Sequence, residues 1–365
     1  MLAMQHYNAS PTPLSNQTHG IAKVAAVAHN VTAQTTPTVA VMSMTLGILS
    51  NILALFILAK AYNRMRRRSK ATFLLFASSL VATDLAGHII TGALVLRRYS
   101  VGFSPDSGSV DPSCQFLGGC MVFFGLCPLF MGCAMAAERC LGVTQPLLHA
   151  SWVSTARTKL ALALIWLMAL FVALLPSFNL GRYTYQHPKS WCFISVLEGT
   201  MASDVAFVLI FSGLGMASLV VALVCNTISG ITLVHARLRR RTCSRRSTNS
   251  HDIEMVVQLL GIMVTSCICW IPLLTFDLMS VMQSYGVEMD EDQLTYCKGL
   301  LLTGVRLASC NQVLDPWVYI LLRRAVLRKI YCLTTCGRVN LRGSTFRHWE
   351  ISSLQSSEKK SVSRI

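Results

Sequence analysis

The sequence predicts an all-α membrane protein: a bundle of seven transmembrane helices, with a short amphipathic helix on the membrane surface after the seventh. Three observations carry that reading. Of 365 residues, 53% are hydrophobic and 13% charged, with a mean hydropathy of +0.51, whereas a soluble domain carries about a quarter charged residues. Apolar runs of about 20 residues, the length that crosses roughly 30 Å of hydrocarbon, recur along the chain. The cations are also unevenly placed. Of 32 Lys and Arg residues, 25 fall in alternate connections and the tail, with 6 in residues 60–70, 3 in 139–159, 6 in 237–246 and 10 after 322. Such alternation is the positive-inside pattern, so the net charge of +16 reflects a lipid bilayer partner and not a nucleic acid.

Taken in order, residues 1–37 form a polar segment without the charged and apolar regions of a cleavable signal peptide. The chain's three Asn-x-Ser/Thr sequons, Asn8, Asn16 and Asn30, all fall there, which favours a glycosylated, extracellular N-terminus. An odd number of spans then leaves the C-terminus cytoplasmic, in a plasma-membrane protein. Spans are expected at about 38–59, 71–96, 114–138, 160–178, 203–235, 254–282 and 299–322, making residues 38–322 one unit without internal repeats. Pro128, Pro176, Pro272 and Pro316 predict kinks, tolerated in membranes where neighbours satisfy the freed carbonyls. Residues 323–336 alternate cations with Ala, Val, Leu and Ile at helical spacing, as an interfacial helix does. Cys332 and Cys336 lie on one face of it, as palmitoylation candidates or as ordinary thiols. Residues 337–365 are polar and Ser-rich and are expected to be a disordered tail open to phosphorylation.

Most of the 14 cysteines lie in spans, as small apolar residues. Cys114, Cys192 and Cys297 face the oxidising side. A Cys114–Cys192 bond would pin the loop after the fourth span across the mouth of the bundle; Cys297 is then free or paired elsewhere. Cys267 and Cys269 are no metal site, since residues two apart on a helix diverge.

The ionisable residues inside spans carry the function. Asp84 in "LVATDLAGH" and Asp315 in "LDPWVY" are intramembrane acids, which face the bundle interior and are functional candidates by default. With Asn51 in the first span they suit a hydrated ion site, possible for sodium near Asp84, a proton relay, or a polar cluster that only holds helices together. Glu138-Arg139-Cys140 closes the third span. Arg306 lies nine residues before Asp315, about 13 Å along a helix, in the outer half of the seventh span. A central charge costs at least about 2.5–3.5 kcal/mol, so Arg306 either snorkels to headgroups or is kept for a partner. The third span from Cys114 to Ala137 contains no acid. A pocket with an arginine above and no carboxylate below selects an anion, and the guanidinium fork matches a carboxylate bidentately. Tyr99, 15 residues beyond Asp84, reaches the outer mouth as a second donor or as an interfacial belt residue.

Together "LVATDLAGH", "ERC", the lone Trp166 of the fourth span, "CWIP" at 269–272, "LDPWVY" and the terminal amphipathic helix resemble the rhodopsin class of G-protein-coupled receptors, over residues 38 to about 336. Within it, "GRYTYQHPKSWCFI" (181–194) and "RLASCNQVLDPWVYILLR" (306–323) are similar to the prostanoid receptors. "SLVATDLAGHIITGALVLRRYS" and "CMVFFGLCPLFMGC" look most like the first prostaglandin E subtype, with the prostaglandin F branch next.

The resemblance implies that Arg306 pairs with a ligand carboxylate, helped by Tyr99 and the Ser190 hydroxyl. Trp191 would cap the pocket, Trp270 would floor it, and Met121 and Ser309 complete the ligand-binding candidates. For activation it implies Glu138 and Arg139, with Arg139 released to engage the G protein, and a rearranging polar core of Asp84, Asn311, Asp315, Pro316 and Tyr319. It implies the Cys114–Cys192 loop disulfide. Implied partners are prostaglandin E2, a heterotrimeric G protein of the Gq class leading to calcium release, and arrestin and receptor kinases at the tail.

The chain departs from the family at Lys189-Ser190, where Gly-Thr is usual, at Cys310, where Trp or Leu is usual, and at Ile271, where Ser is usual; these touch the rim, wall and floor of the pocket. Glu-Arg-Cys replaces Asp-Arg-Tyr, as in prostanoid receptors generally. Three other classes fit poorly. A transporter of organic anions would show repeats or interrupted helices. A retinal protein needs a lysine within the seventh span, and Lys298 stands only at its edge. An enzyme needs an acid/base, nucleophile or metal constellation, and no such set or cofactor motif is present.

Overall fold

The computed structural model describes residues 38–65, 71–101, 111–187, 190–197, 201–243, 250–284 and 291–321. The helices are α1 (Thr38–Met65), α2 (Ala71–Val101), α3 (Pro112–Thr144), the short α4 (Pro146–Trp152), α5 (Thr155–Leu174), α6 (Ala202–Cys243), α7 (Ser250–Ser284) and α8 (Glu291–Leu321), with an antiparallel hairpin of β1 (Tyr183–Gln186) and β2 (Trp191–Ile194) between α5 and α6. Asn8, Asn16, Asn30, Cys332, Cys336, the interfacial helix 323–336 and the tail lie outside the described residues, as does the side chain of Tyr319.

Six helices, α1, α2, α3, α5, α6 and α7, are long and apolar enough to cross a membrane. The seventh, α8, falls short in apolarity because its sequence holds Lys298, Arg306 and Asp315, yet it packs along α7 and α1 as the closing member of the bundle. It begins at Glu291, eight residues before the expected Lys298–Gly299 boundary. Pro128, Pro272 and Pro316 lie within helices. Pro176 does not: the fourth span ends its α-helix at Leu174, and Pro176 sits in a 3-10 turn over Leu175–Phe178. Proline fits the opening turn of a helix, where its missing N–H has no partner to lose.

Helix α3 is the axis of the bundle, touching α2, α4, α5, α6 and both strands. Leu117, Val122, Leu126 and Met131 are nearly or wholly buried along it. Its start is set by Asp111, whose side chain accepts from the Ser113 amide at 2.8 Å, with Pro112 in the first turn. Trp166 ties α5 to α2 by donating its indole N–H to the Thr83 hydroxyl at 3.3 Å. Many large apolar side chains, Met42, Phe56, Leu167 and Phe171 among them, are left exposed on the outside, as suits helices that face lipid.

The hairpin is unexpected from the sequence, where 181–194 reads as a loop. Its register pairs Tyr183 with Ile194 and Tyr185 with Cys192, and all four β2 residues are buried. The β-favouring runs Tyr-Thr-Tyr and Trp-Cys-Phe-Ile around His-Pro-Lys-Ser were the available signal. Gly181 precedes it at φ +87, and a Cβ there would stand 2.5 Å from the Phe207 side chain. Only glycine meets both conditions.

Candidate functional site

The hairpin roofs a cavity of about 610 Å³ walled by α1, α2, α3 and α8. Six of the sequence-predicted ligand residues line it together: Arg306 and Ser309 from α8, Tyr99 from α2, Met121 from α3, and Ser190 and Trp191 from the hairpin. The roof is fixed from several sides. Cys192 is disulfide-bonded to Cys114, with Cα atoms 5.4 Å apart, and the Tyr183 hydroxyl donates to the Ala173 carbonyl at 2.8 Å. Arg98 donates to Asp111 and to the Tyr185 hydroxyl, Tyr185 donates to Asp111, and the guanidinium lies 5.0 Å from the Tyr185 ring centre. Burial alone would raise the Asp111 carboxyl, but hydrogen bonds from Tyr185, the Ser113 amide and Arg98, with the Arg98 charge, outweigh it and hold it at about 2. Burial and its bond to Asp111 push the Tyr185 phenol up to about 12. On the far side Arg182 donates to Asp204 at 2.7 Å.

Arg306 is exposed to the cavity and has no hydrogen-bond or ion-pair partner among the described residues. Among the described lining residues there is no carboxylate, and His187 is the one other residue able to carry positive charge. A permanently charged guanidinium therefore faces a largely apolar chamber with its donors unused. Ser309 donates its hydroxyl hydrogen to the Val305 carbonyl at 2.9 Å, which leaves its oxygen as an acceptor. Trp191 is 6% exposed and donates its indole N–H to the His187 carbonyl at 3.0 Å, so its ring position is fixed.

Trp270 does not line this cavity. It borders a second, smaller one of about 60 Å³ with Phe211, Gly125 and Gln312, which shares Thr91, Met121, Val305 and Ser309 with the first. The tryptophan thus borders the smaller cavity and not the large chamber. A Cβ at Gly125 would meet the ring at 3.4 Å, an ordinary van der Waals contact.

Below lies a polar core. Asn311 donates to Asp315 at 2.9 Å, and Asn51 donates to the carbonyls of Gly47 at 2.9 Å and Gln312 at 3.1 Å. Both oxygens of Asp84, and the side-chain oxygens of Asn51 and Asn311, are buried without a donor among the described residues. At the end opposite the hairpin, Glu138 accepts from the Thr72 hydroxyl at 3.2 Å and lies 3.2 Å from the His149 ring nitrogen. The Arg139 guanidinium stacks 4.1 Å from the Phe73 ring centre.

Several participants escaped the reading of the sequence. His187 and Thr91 line the cavity, His187 from the loop after the fourth span and Thr91 as an ordinary polar residue of the second. Asp277 is an acid inside an apolar span, the same signal that marks Asp84; it is 0% exposed, and both oxygens lack a partner among the described residues.

The sequence profile of the family "7 transmembrane receptor (rhodopsin family)" matches residues 50–319. The chain belongs to that family: a multi-pass membrane receptor of the G-protein-coupled kind, and not an enzyme. Within it, the chain is 46% identical to the mouse prostaglandin E2 receptor EP1 subtype, with 91% of each chain covered. It is 45% identical to the human EP1 subtype over 90% of this chain and 91% of that one. To the human prostaglandin F2-alpha receptor it is 42% identical over 95% of both.

Proposed function

We propose that the chain is a plasma-membrane receptor for prostaglandin E2, with its N-terminus extracellular and its C-terminus cytoplasmic, signalling through Gq to calcium release. The observation that carries the ligand reading is Arg306, a guanidinium without a partner among the described residues on the wall of a largely apolar cavity. A prostaglandin is a long apolar acid, and its carboxylate matches the guanidinium of Arg306, the one arginine or lysine among the described lining residues. Tyr99 and the Ser190 hydroxyl stand on the same cavity to complete that contact, Trp191 closes over it, and Met121 and Ser309 are wall. The hydrocarbon chain runs down toward the Trp270 layer.

Agonist biases the bundle through its differential affinity for the active arrangement. Asp84, Asn311, Asp315, Pro316 and Tyr319 form the core that rearranges, and Arg139 leaves Phe73 to meet the G protein, with Glu138 as its neighbour in the resting state. The unpaired oxygens of Asp84, Asn51 and Asn311 suit a sodium ion or water. Sugars at Asn8, Asn16 and Asn30, palmitate on Cys332 and Cys336, and arrestin and receptor kinases at the serine-rich tail complete the assignment. The names of the mouse and human relatives favour the E ligand over the F ligand, and the similarity to the human prostaglandin F2-alpha receptor keeps the latter as the alternative.

The test is calcium release in cells expressing the chain, titrated with prostaglandin E2 and prostaglandin F2α. Greater potency of the E ligand is the expected result. Greater potency of the F ligand would reassign the receptor within the family. Silence to both at verified surface expression, with radiolabelled prostaglandin E2 still binding, would overturn Gq; absent binding would overturn the ligand.

A further inference from the structure

A proline inside a helix lacks the N–H that would bond the carbonyl four residues earlier. In α3 that carbonyl belongs to Phe124, four before Pro128; in α8 it belongs to Gln312, four before Pro316. A buried carbonyl without a donor is costly, and the structure supplies both donors. The Gln312 side-chain amide donates to the Phe124 carbonyl at 2.8 Å. The Asn51 amide donates to the Gln312 carbonyl at 3.1 Å. One residue therefore serves two kinks, giving its side chain to the first and its backbone oxygen to the second, and joins α1, α3 and α8 in a single line. Gln312 also borders the small cavity shared with Trp270, directly below the chamber of Arg306. Next along the helix, Asn311 belongs to the polar core through its bond to Asp315.

We propose that Gln312 is a positioning residue that locks the proline kinks of α3 and α8 to each other, so that a change at the cavity floor is passed to both helices together. A kinked helix without its missing bond is a hinge, and a hinge whose freed carbonyl is held by another helix has its angle set by that helix. Displacing the Gln312 amide releases the α3 kink; moving the α8 backbone at Gln312 stretches the bond from Asn51. The two bends cannot change independently while both bonds hold. The signalling part of this proposal rests on the prostaglandin reading above, and the structural part does not.

The test is a double-mutant cycle on the full-length receptor in detergent, with Gln312→Met, Pro128→Ala and the pair together. Methionine keeps the shape of glutamine and removes the donor. Alanine at 128 restores the helix's own N–H to the Phe124 carbonyl, so the glutamine is no longer needed there. The ligand-free thermal midpoint should fall in Gln312→Met and recover most of that loss in the pair, because contacting residues are coupled and not additive. Equal losses with and without Pro128→Ala would overturn the proposal. If Gln312→Met alone does not fold, folding of the pair supports the proposal and its failure overturns it.

The second readout is G-protein nucleotide exchange with and without prostaglandin E2. The ratio of stimulated to basal exchange should drop by about fivefold or more in Gln312→Met, the lower range of site-to-site coupling, and return in the pair. A stability loss with an unchanged ratio would reduce Gln312 to a packing residue and overturn the coupling role. Silence of the unmutated receptor to prostaglandin E2 would count against the ligand assignment, while the ligand-free cycle would still decide the kink lock.

Discussion

The two halves of α8 treat charge in opposite ways. In the half near the hairpin, Arg306 faces a cavity and no described acceptor meets it. Nine residues on, Asp315 is 5% exposed, accepts from Asn311, and lies among residues whose bonds run to α1 and α3. Both charges are expensive inside a bilayer, and the difference lies in what offsets them. In the inner half the protein itself supplies a polar partner, the Asn311 amide. In the outer half that role is left to whatever fills the chamber. On the function proposed above, the first arrangement serves a ligand and the second serves to hold or move the helices.

The largest effect expected from breaking this asymmetry is at Arg306. Truncating one member of a desolvated charge pair costs about 2–5 kcal/mol, roughly 30-fold to several thousand-fold in affinity. Arg306→Ala should weaken binding of prostaglandin E2 on that scale while changing the affinity of its methyl ester by about threefold or less; equal losses for acid and ester would remove the carboxylate from Arg306. The roof comes next. Cys114–Cys192 closes a separation of 78 residues, and losing such a link costs about 2–4 kcal/mol. Cys114→Ser should lower the thermal midpoint and speed dissociation of radiolabelled prostaglandin E2; an unchanged dissociation rate would mean that the hairpin does not act as a lid. Ser190→Ala should weaken acid binding by about 1–2 kcal/mol if its hydroxyl bonds the carboxylate, and unchanged affinity would leave it as rim.

Much of this was legible in the sequence, for physical reasons specific to each part. Seven helices could be placed because hydrocarbon thickness sets their length and forbids unpaired backbone within it. Arg306 could be picked out because a charge in an apolar run has few explanations. The hairpin could not, because residues 181–194 carry no strict alternation: β2 is buried on both faces, against α3 and α6, and so reads as a plain apolar run. Gln312 was also silent. An amide in a span is only mildly unusual, and its role depends on Phe124, 188 residues away, whose carbonyl, freed by Pro128, meets its donor only once the helices are assembled. His187 and Thr91 became wall residues by the same route, through tertiary placement that no local pattern encodes.

Asp277 sharpens the comparison most finely, since it is another acid within a span and is wholly buried. Unlike Arg306 it lines neither the large nor the small cavity, and unlike Asp315 it has no donor among the described residues. If proximity to the chamber is what makes an uncompensated group functional, Asp277 should be dispensable for binding and a cost to the fold. An unsatisfied buried polar group costs about 1–3 kcal/mol, so Asp277→Leu, close to it in size, should raise the thermal midpoint of the purified receptor. Its affinity for prostaglandin E2 should stay within about threefold, the change that about 0.5 kcal/mol produces. A lowered midpoint would mean that the carboxyl has a partner that offsets its burial. A large loss of affinity at an unchanged midpoint would place Asp277 in the binding machinery, and distance from the cavity would no longer separate the functional charges of this bundle from the merely buried ones.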